Sequence, residues 1–181
     1  MSEAVYTTSG YSRIVARVMN LQERDLPRLV AGTGLSQAIF VPGDETRLSG
    51  EQQLRVLQNA RRLGGTPELG LRIGQELQPS VHGPIGYLAL SSPDLITALK
   101  ALRDYLPLRI GFARLDLEFS EEWMLCKLGI DLDGEPPEMR FLKECFALLL
   151  QALVEYLLGR SVTEAHFSFD FPPPDYADRY S

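Results

Sequence analysis

The run from Glu138 to Leu158 leaves a folding chain the least freedom. Phe141, Leu142, Cys145, Phe146, Leu148, Leu149, Leu150, Leu153, Val154 and Leu157 place apolar groups nearly all the way round a helix. A surface helix keeps one wet face. This one has almost none, so it belongs at the centre of a core or in an interface between subunits. Pro137 near its first turn and Gly159 just past its end suit the two termini of a helix. Its charge-free stretch, Cys145 to Val154, falls far short of the ~20 residues that span a bilayer. The polar start, Met1 to Gly10, lacks the layout of a signal peptide. A cytoplasmic protein without membrane contact is expected.

The rest of the chain must cover that helix. Tyr11 to Asn20 carries Ile14, Val15 and Val18 at helical spacing. Asp25 is placed to cap a short helix bearing Leu26, Leu29 and Val30. Ser49 and Gln52 form a capping-box pattern ahead of Leu54, Leu57, Ala60 and Leu63, and Gly64-Gly65 ends that helix. Thr66-Pro67 opens a fourth helix carrying Leu69, Ile73 and Leu77. Gly70 and Gly74 within it each weaken a helix by roughly 1 kcal/mol relative to alanine, so a neighbouring backbone is expected close by. His82 to Tyr87 reads as a turn-rich connection, and Ser92-Pro93-Asp94 starts a helix with Leu95, Ala98, Leu99, Leu102 and Leu106 on its buried stripe, stopped by Pro107.

The period then changes. Ala113, Leu115, Leu117 and Phe119 alternate with polar residues from Ile110 to Phe119, and Met124, Cys126, Leu128, Ile130 and Leu132 share one face from Trp123 to Leu132. Ser120-Glu121-Glu122 joins them as a hairpin. Ala165, Phe167, Phe169 and Phe171 alternate in the same way from Val162 to Phe171, which predicts a third strand ended by Pro172 to Pro174. The fold expected is α+β: an N-terminal helical half, then a helix, a β-hairpin, a long buried helix and a third strand that completes a small antiparallel sheet.

Composition removes several functions. A net charge of −6 argues against a DNA grip by these residues themselves. The segment Asp25 to Phe40 loosely imitates a helix-turn-helix, but Ser36 to Pro42 is short, apolar and broken by proline, unsuited to reading base edges. Cys126 and Cys145 are too few for a disulfide framework and read as reduced core thiols. With His82 and His166 as the only histidines, no zinc pattern exists, and neither a Gly-x-Ser-x-Gly nor a phosphate loop is present. No catalytic group, metal or cofactor is assigned. Asp116, Glu118, Glu121 and Glu122 read as a solvated hairpin. The better lead is the set of amphipathic groups that suit a small-molecule pocket, namely His82, Tyr87, Tyr105 and Trp123, with Arg72 as a partner for an anionic ligand.

The block Leu69-Gly70-Leu71-Arg72-Ile73-Gly74, followed by His82-Gly83-Pro84-Ile85-Gly86-Tyr87 leading to Ser91-Ser92-Pro93, and then by Ala98-Leu99-Lys100-Ala101-Leu102 ahead of Tyr105, resembles the arabinose-binding-type N-terminal domain of AraC/XylS-family regulators, ornithine-utilisation regulators among them. The resemblance covers nearly the whole chain in order. It implies that residues 1–181 form a single domain for effector sensing and dimerisation. It further implies a small-molecule effector and a homodimer, with DNA bound only through a helix-turn-helix half outside this chain. The residues by themselves leave open a ligand-free dimerisation scaffold.

Overall fold

Two glycines decide how the centre is built. In the computed structural model, which describes residues 6–77 and 79–180, helix α4 (Leu69–Glu76) lies against the long helix α7 (Pro136–Leu158). A β-carbon on Gly70 would come within 3.0 Å of the Phe141 backbone, and one on Gly74 would sit 2.6 Å from Leu148 Cδ1 and 3.2 Å from Cys145 Cα. The Cys145 thiol donates to the Gly70 carbonyl at 3.2 Å. The close approach read from the sequence is therefore the α4–α7 contact. Leu142, Cys145, Phe146, Leu149 and Leu153 of α7 are buried, and the helix is the centre of the core.

Helix α1 (Ser9–Val18) and helix α3 (Gly50–Arg62) flank this pair, with the short helix α2 (Leu26–Leu29) between them in sequence. The capping box of α3 is formed as its residue types dictate: Ser49 Oγ accepts from Gln52 N–H at 3.1 Å, and Gln52 Oε1 accepts from Ser49 N–H at 2.8 Å. Gly64 follows at φ +101°, a conformation open to glycine. Helix α5 (Pro84–Leu90) and helix α6 (Leu95–Arg109) pack together, and α6 covers the hairpin of β3 (Ala113–Phe119) and β4 (Met124–Ile130). The hairpin register sets Ala113 opposite Ile130 and Phe119 opposite Met124. Ser120 Oγ closes its turn by accepting from the Glu122 and Trp123 amides. No helix among the described residues is long and apolar enough to cross a membrane.

The α+β class holds, with corrections. Val162 to Phe171 is not a third strand: it runs without ladder hydrogen bonds, and Phe167 is exposed. Alternation specifies which side of a segment faces inward, but a ladder also needs a free strand edge in register. Here side chains hold the segment instead. Lys143 pairs with Asp170 at 2.5 Å, and Phe169 stacks on Phe171 at 4.8 Å. The helical half in turn contains a strand pair, β1 (Tyr6–Thr8) with β2 (Arg47–Ser49), too short to show a period. Helix α6 continues past Pro107 to Arg109. The connection after His82 is helical, with Gly83 at φ +63° and Pro84 in the first turn of α5. Asp25 makes no cap to α2; its carboxylate accepts from the Gln22 amide. Helix α4 begins at Leu69 rather than at Pro67.

The C-terminal segment closes over a buried carboxylate. Glu144 is 1% exposed, and Oε1 accepts from Tyr176 Oη at 2.8 Å and from Tyr180 Oη at 2.6 Å. Burial pushes its carboxyl above the usual range, and the two phenol hydrogen bonds oppose that shift. Arg140 lies 5.6 Å over the Tyr176 ring, and Arg179 reaches Glu68 at 2.6 Å.

Two stability measurements check this account. Gly74→Ala is expected to lose about 1–3 kcal/mol in urea unfolding, although alanine is the better helix former by ~1 kcal/mol; a gain in stability would contradict the contact. Tyr176→Phe combined with Tyr180→Phe should cost about 2 kcal/mol by leaving a buried acceptor unpaired. Adding Glu144→Met to that pair should recover more than half of the loss, since removing both partners is nearly neutral.

Candidate functional site

A cavity lies inside the cage that α1, α4 and α7 form. It leaves about 50 Å³ for the centres of water-sized atoms, several times the ~10–15 Å³ that a single water needs on that measure. Its walls are mostly apolar. Val15 of α1, Ile73 of α4, Leu77 just past the end of α4, and Phe141, Cys145 and Leu149 of α7 supply them. Thr7 of β1, Gln53 of α3 and the Tyr11–His82 pair bring polar atoms to the same space.

The polar end is ordered. Tyr11 Oη meets His82 Nδ1 at 2.6 Å, with the rings 5.6 Å apart. The Arg109 charge acts on both groups, favouring the ionised phenol and disfavouring the protonated imidazole. Which of the two atoms donates follows the imidazole tautomer. Burial raises the Tyr11 phenol well above its ordinary range, so that proton stays on. Burial and the Arg109 charge together lower the His82 pKa to about 4, and the ring is neutral near pH 7. His82 Nε2 is buried without a partner, as are Thr7 Oγ1 and Arg109 Nε. Gln53 turns its oxygen to Ser12 Oγ at 3.2 Å, which leaves its amide group as a further donor.

A larger cleft of about 190 Å³ opens between the end of α3 and the start of α7, beside Glu138. There Arg61 already pairs with Glu138 at 3.1 Å. Both Glu138 oxygens are nonetheless buried without a hydrogen-bond partner, so this cleft too is lined by an unsatisfied polar group.

Of the residues put forward from the sequence, His82 lines the cavity. Arg72 is on the outer side of α4, where its guanidinium donates to the Val18 carbonyl at 2.8 Å and caps the end of α1. Tyr87, Tyr105 and Trp123 are 63%, 46% and 56% exposed and do not line the cavity. Tyr11, Thr7, Gln53 and Arg109 were missed. Nothing local distinguishes them, because each acts through a partner distant in sequence: Tyr11 through a residue 71 positions away. A polar residue inside an otherwise apolar helical stripe, as Tyr11 and Gln53 are, was the available signal.

Comparison with known proteins gives two results. Residues 24–181 match the family model described as the arabinose-binding domain of AraC transcription regulator, N-terminal. The chain is 30% identical over 176 residues to an ornithine utilization regulator of Pseudomonas aeruginosa, an alignment covering 84% of this chain and 48% of that protein. The chain thus spans about half the length of the curated relative it matches.

The lowered His82 pKa makes a signed prediction. An unfolded imidazole takes its proton near pH 6.5, the folded one near pH 4. Between those values the unfolded state binds more protons, so His82 makes stability rise with pH. Its contribution is complete above about pH 6.5 and is lost as pH falls through about 4. Relative to His82→Gln, the native chain should lose up to about 3 kcal/mol of unfolding free energy between pH 7 and pH 4. A difference independent of pH would refute a buried neutral imidazole.

Proposed function

Because this chain belongs to the family of arabinose-binding-type N-terminal domains of AraC transcription regulators, we propose that it is the effector-sensing half of such a regulator. On this reading it is a non-catalytic cytoplasmic domain that encloses a small molecule in the cavity beneath Tyr11 and His82. Gene control then passes to a DNA-binding half outside these residues. The observation that carries the proposal is the cavity itself: mostly apolar walls whose lining residues His82 and Thr7 hold buried polar atoms that have no protein partner. Leaving such atoms unpaired costs about 1–3 kcal/mol each, which a bound polar partner would recover. The same observation favours sensing over a ligand-free scaffold. The net charge of −6 fits DNA contact made elsewhere in a full-length regulator, and a homodimer is proposed on the family alone.

A ligand shifts an equilibrium only by binding one arrangement better than another. The route offered here is short. Cys145 and Phe141 line the cavity on α7, and the adjoining Glu144 anchors Tyr176 and Tyr180. A ligand that moves α7 changes how firmly the C-terminal segment is held. The relative's name ties that protein to ornithine use. Ornithine carries ammonium groups at neutral pH, whereas none of the residues lining this cavity is Asp or Glu, so ornithine is not carried over to this chain.

A thermal-shift screen of small metabolites tests the reading. At least one compound should raise the melting temperature in a concentration-dependent way, as binding to the folded state alone requires. Val15→Leu, which adds a methylene to the cavity wall, should abolish that rise. Hits that act equally on this variant, or a screen without hits, would overturn the proposal.

A further inference from the structure

We propose that residues 162–180 form a releasable strap that clasps α4 to α7, and that release of this strap is what lets the cavity widen for a ligand. The inference rests on the reading of the cavity as the effector site and adds how that site is regulated.

Side chains, rather than a backbone ladder, attach the segment to the body. Among the described residues its backbone makes two backbone hydrogen bonds, and both are internal: Ala177 N–H to the Pro174 carbonyl and Arg179 N–H to the Tyr176 carbonyl, each 2.9 Å. None of its residues is buried, and none belongs to the core cluster. Such a segment gains little from burial and can open while the core stays folded.

Its ties lie across one seam. Arg179 reaches Glu68, the residue before α4, at 2.6 Å, and Tyr176 and Tyr180 donate to Glu144 of α7 at 2.8 and 2.6 Å. Lys143 of α7 holds Asp170 at 2.5 Å. Each ion pair has an exposed member, Arg179 or Asp170, and holds weakly. The Glu144 carboxylate is therefore the latch, and it is balanced. Two phenols favour the closed strap, but Glu144 Oε2 is buried with no partner. Lifting the strap opens the carboxylate to water, which favours release. An element held between opposing terms can be biased from a second site.

The cavity shares the seam. Ile73 of α4 and Phe141, Cys145 and Leu149 of α7 line it. At about 50 Å³ it is roughly a third of the size, ~150 Å³, that takes one benzene ring. A ligand as large as a ring must part the walls, and parting α4 from α7 works against the strap that joins them. Ligand and closed strap oppose each other, and by linkage each weakens the other to the same degree.

Chymotrypsin cleavage after Phe169 tests the strap, with the body of the chain as internal control. Phe169 is half-buried against Phe171 and Tyr180, so the protease reaches it only on release. In the native chain this cut should appear while the rest stays intact. Its rate should barely respond to low urea, because strap release exposes little surface. Tyr176→Phe with Tyr180→Phe should speed the cut several-fold, and adding Glu144→Met should slow it again. Calorimetry with benzene as the probe tests the coupling. The double variant should bind benzene several-fold more tightly than the native chain, and saturating benzene should speed the Phe169 cut. A cut that appears only as the body unfolds, or that the double variant leaves unchanged, would overturn the strap and leave the cavity reading standing. Benzene that binds both chains equally, or that slows the cut, would overturn the coupling. Benzene bound by neither chain would overturn it as well, whatever the metabolite screen returns.

Discussion

The approach of α4 to α7 at Gly70 and Gly74 is the constraint on which the remaining structure depends. Helices separated by ordinary side chains lie 8–10 Å apart. Removing two β-carbons lets the α4 backbone settle against Phe141 and Cys145, close enough for a thiol-to-carbonyl hydrogen bond. That contact fixes one side of the cavity, since Ile73 comes from α4, Leu77 from its C-cap, and Phe141, Cys145 and Leu149 from α7. It also seats the Glu144 side chain against Gly70, where a β-carbon would collide with its carboxylate. The helix-weakening glycines are thus what allows a cavity and an anchored C-terminal segment to share one helix.

Polar groups in the interior fall into two kinds. Some are satisfied and structural: Asn59 donates to the carbonyls of Leu29 and Ala31, and Arg13 to that of Ile39. Others are held in place yet left without a partner: His82 Nε2 and Thr7 Oγ1 belong to cavity-lining residues, and Glu138 Oε1 and Oε2 and Glu144 Oε2 lie elsewhere on α7. Buried polar groups are rarely orphaned in folded proteins, so the two on cavity-lining residues suit a bound partner. The Tyr11–His82 hydrogen bond orients the imidazole, which stays neutral near pH 7.

Much of the architecture was legible because it rests on local periodicity and terminus chemistry. The Ser49–Gln52 capping box, the Asp94 cap on Thr97, the hairpin faces and the apolar α7 all follow from residues within a few positions of each other. The predicted third strand failed for want of a partner edge, and the β1–β2 pair escaped notice because three residues cannot display a period. Among the residues that line the cavity, His82 is the one its glycine-proline context singles out in the sequence. Arg72 was chosen for its guanidinium, but its geometry spends that group on the end of α1.

Residue order alone supplies the inventory: the long apolar helix, the helical stripes around it, the hairpin, the glycine pair and the family to which they belong. Tertiary structure alone decided which polar residues share an enclosed space, bringing Tyr11 to His82 across 71 positions and Glu144 to Tyr180 across 36. The physical reason is that periodicity records only which side of a segment avoids water. A binding site is made where several such sides meet, and the polar atoms left without partners there are defined by neighbours that no local pattern names.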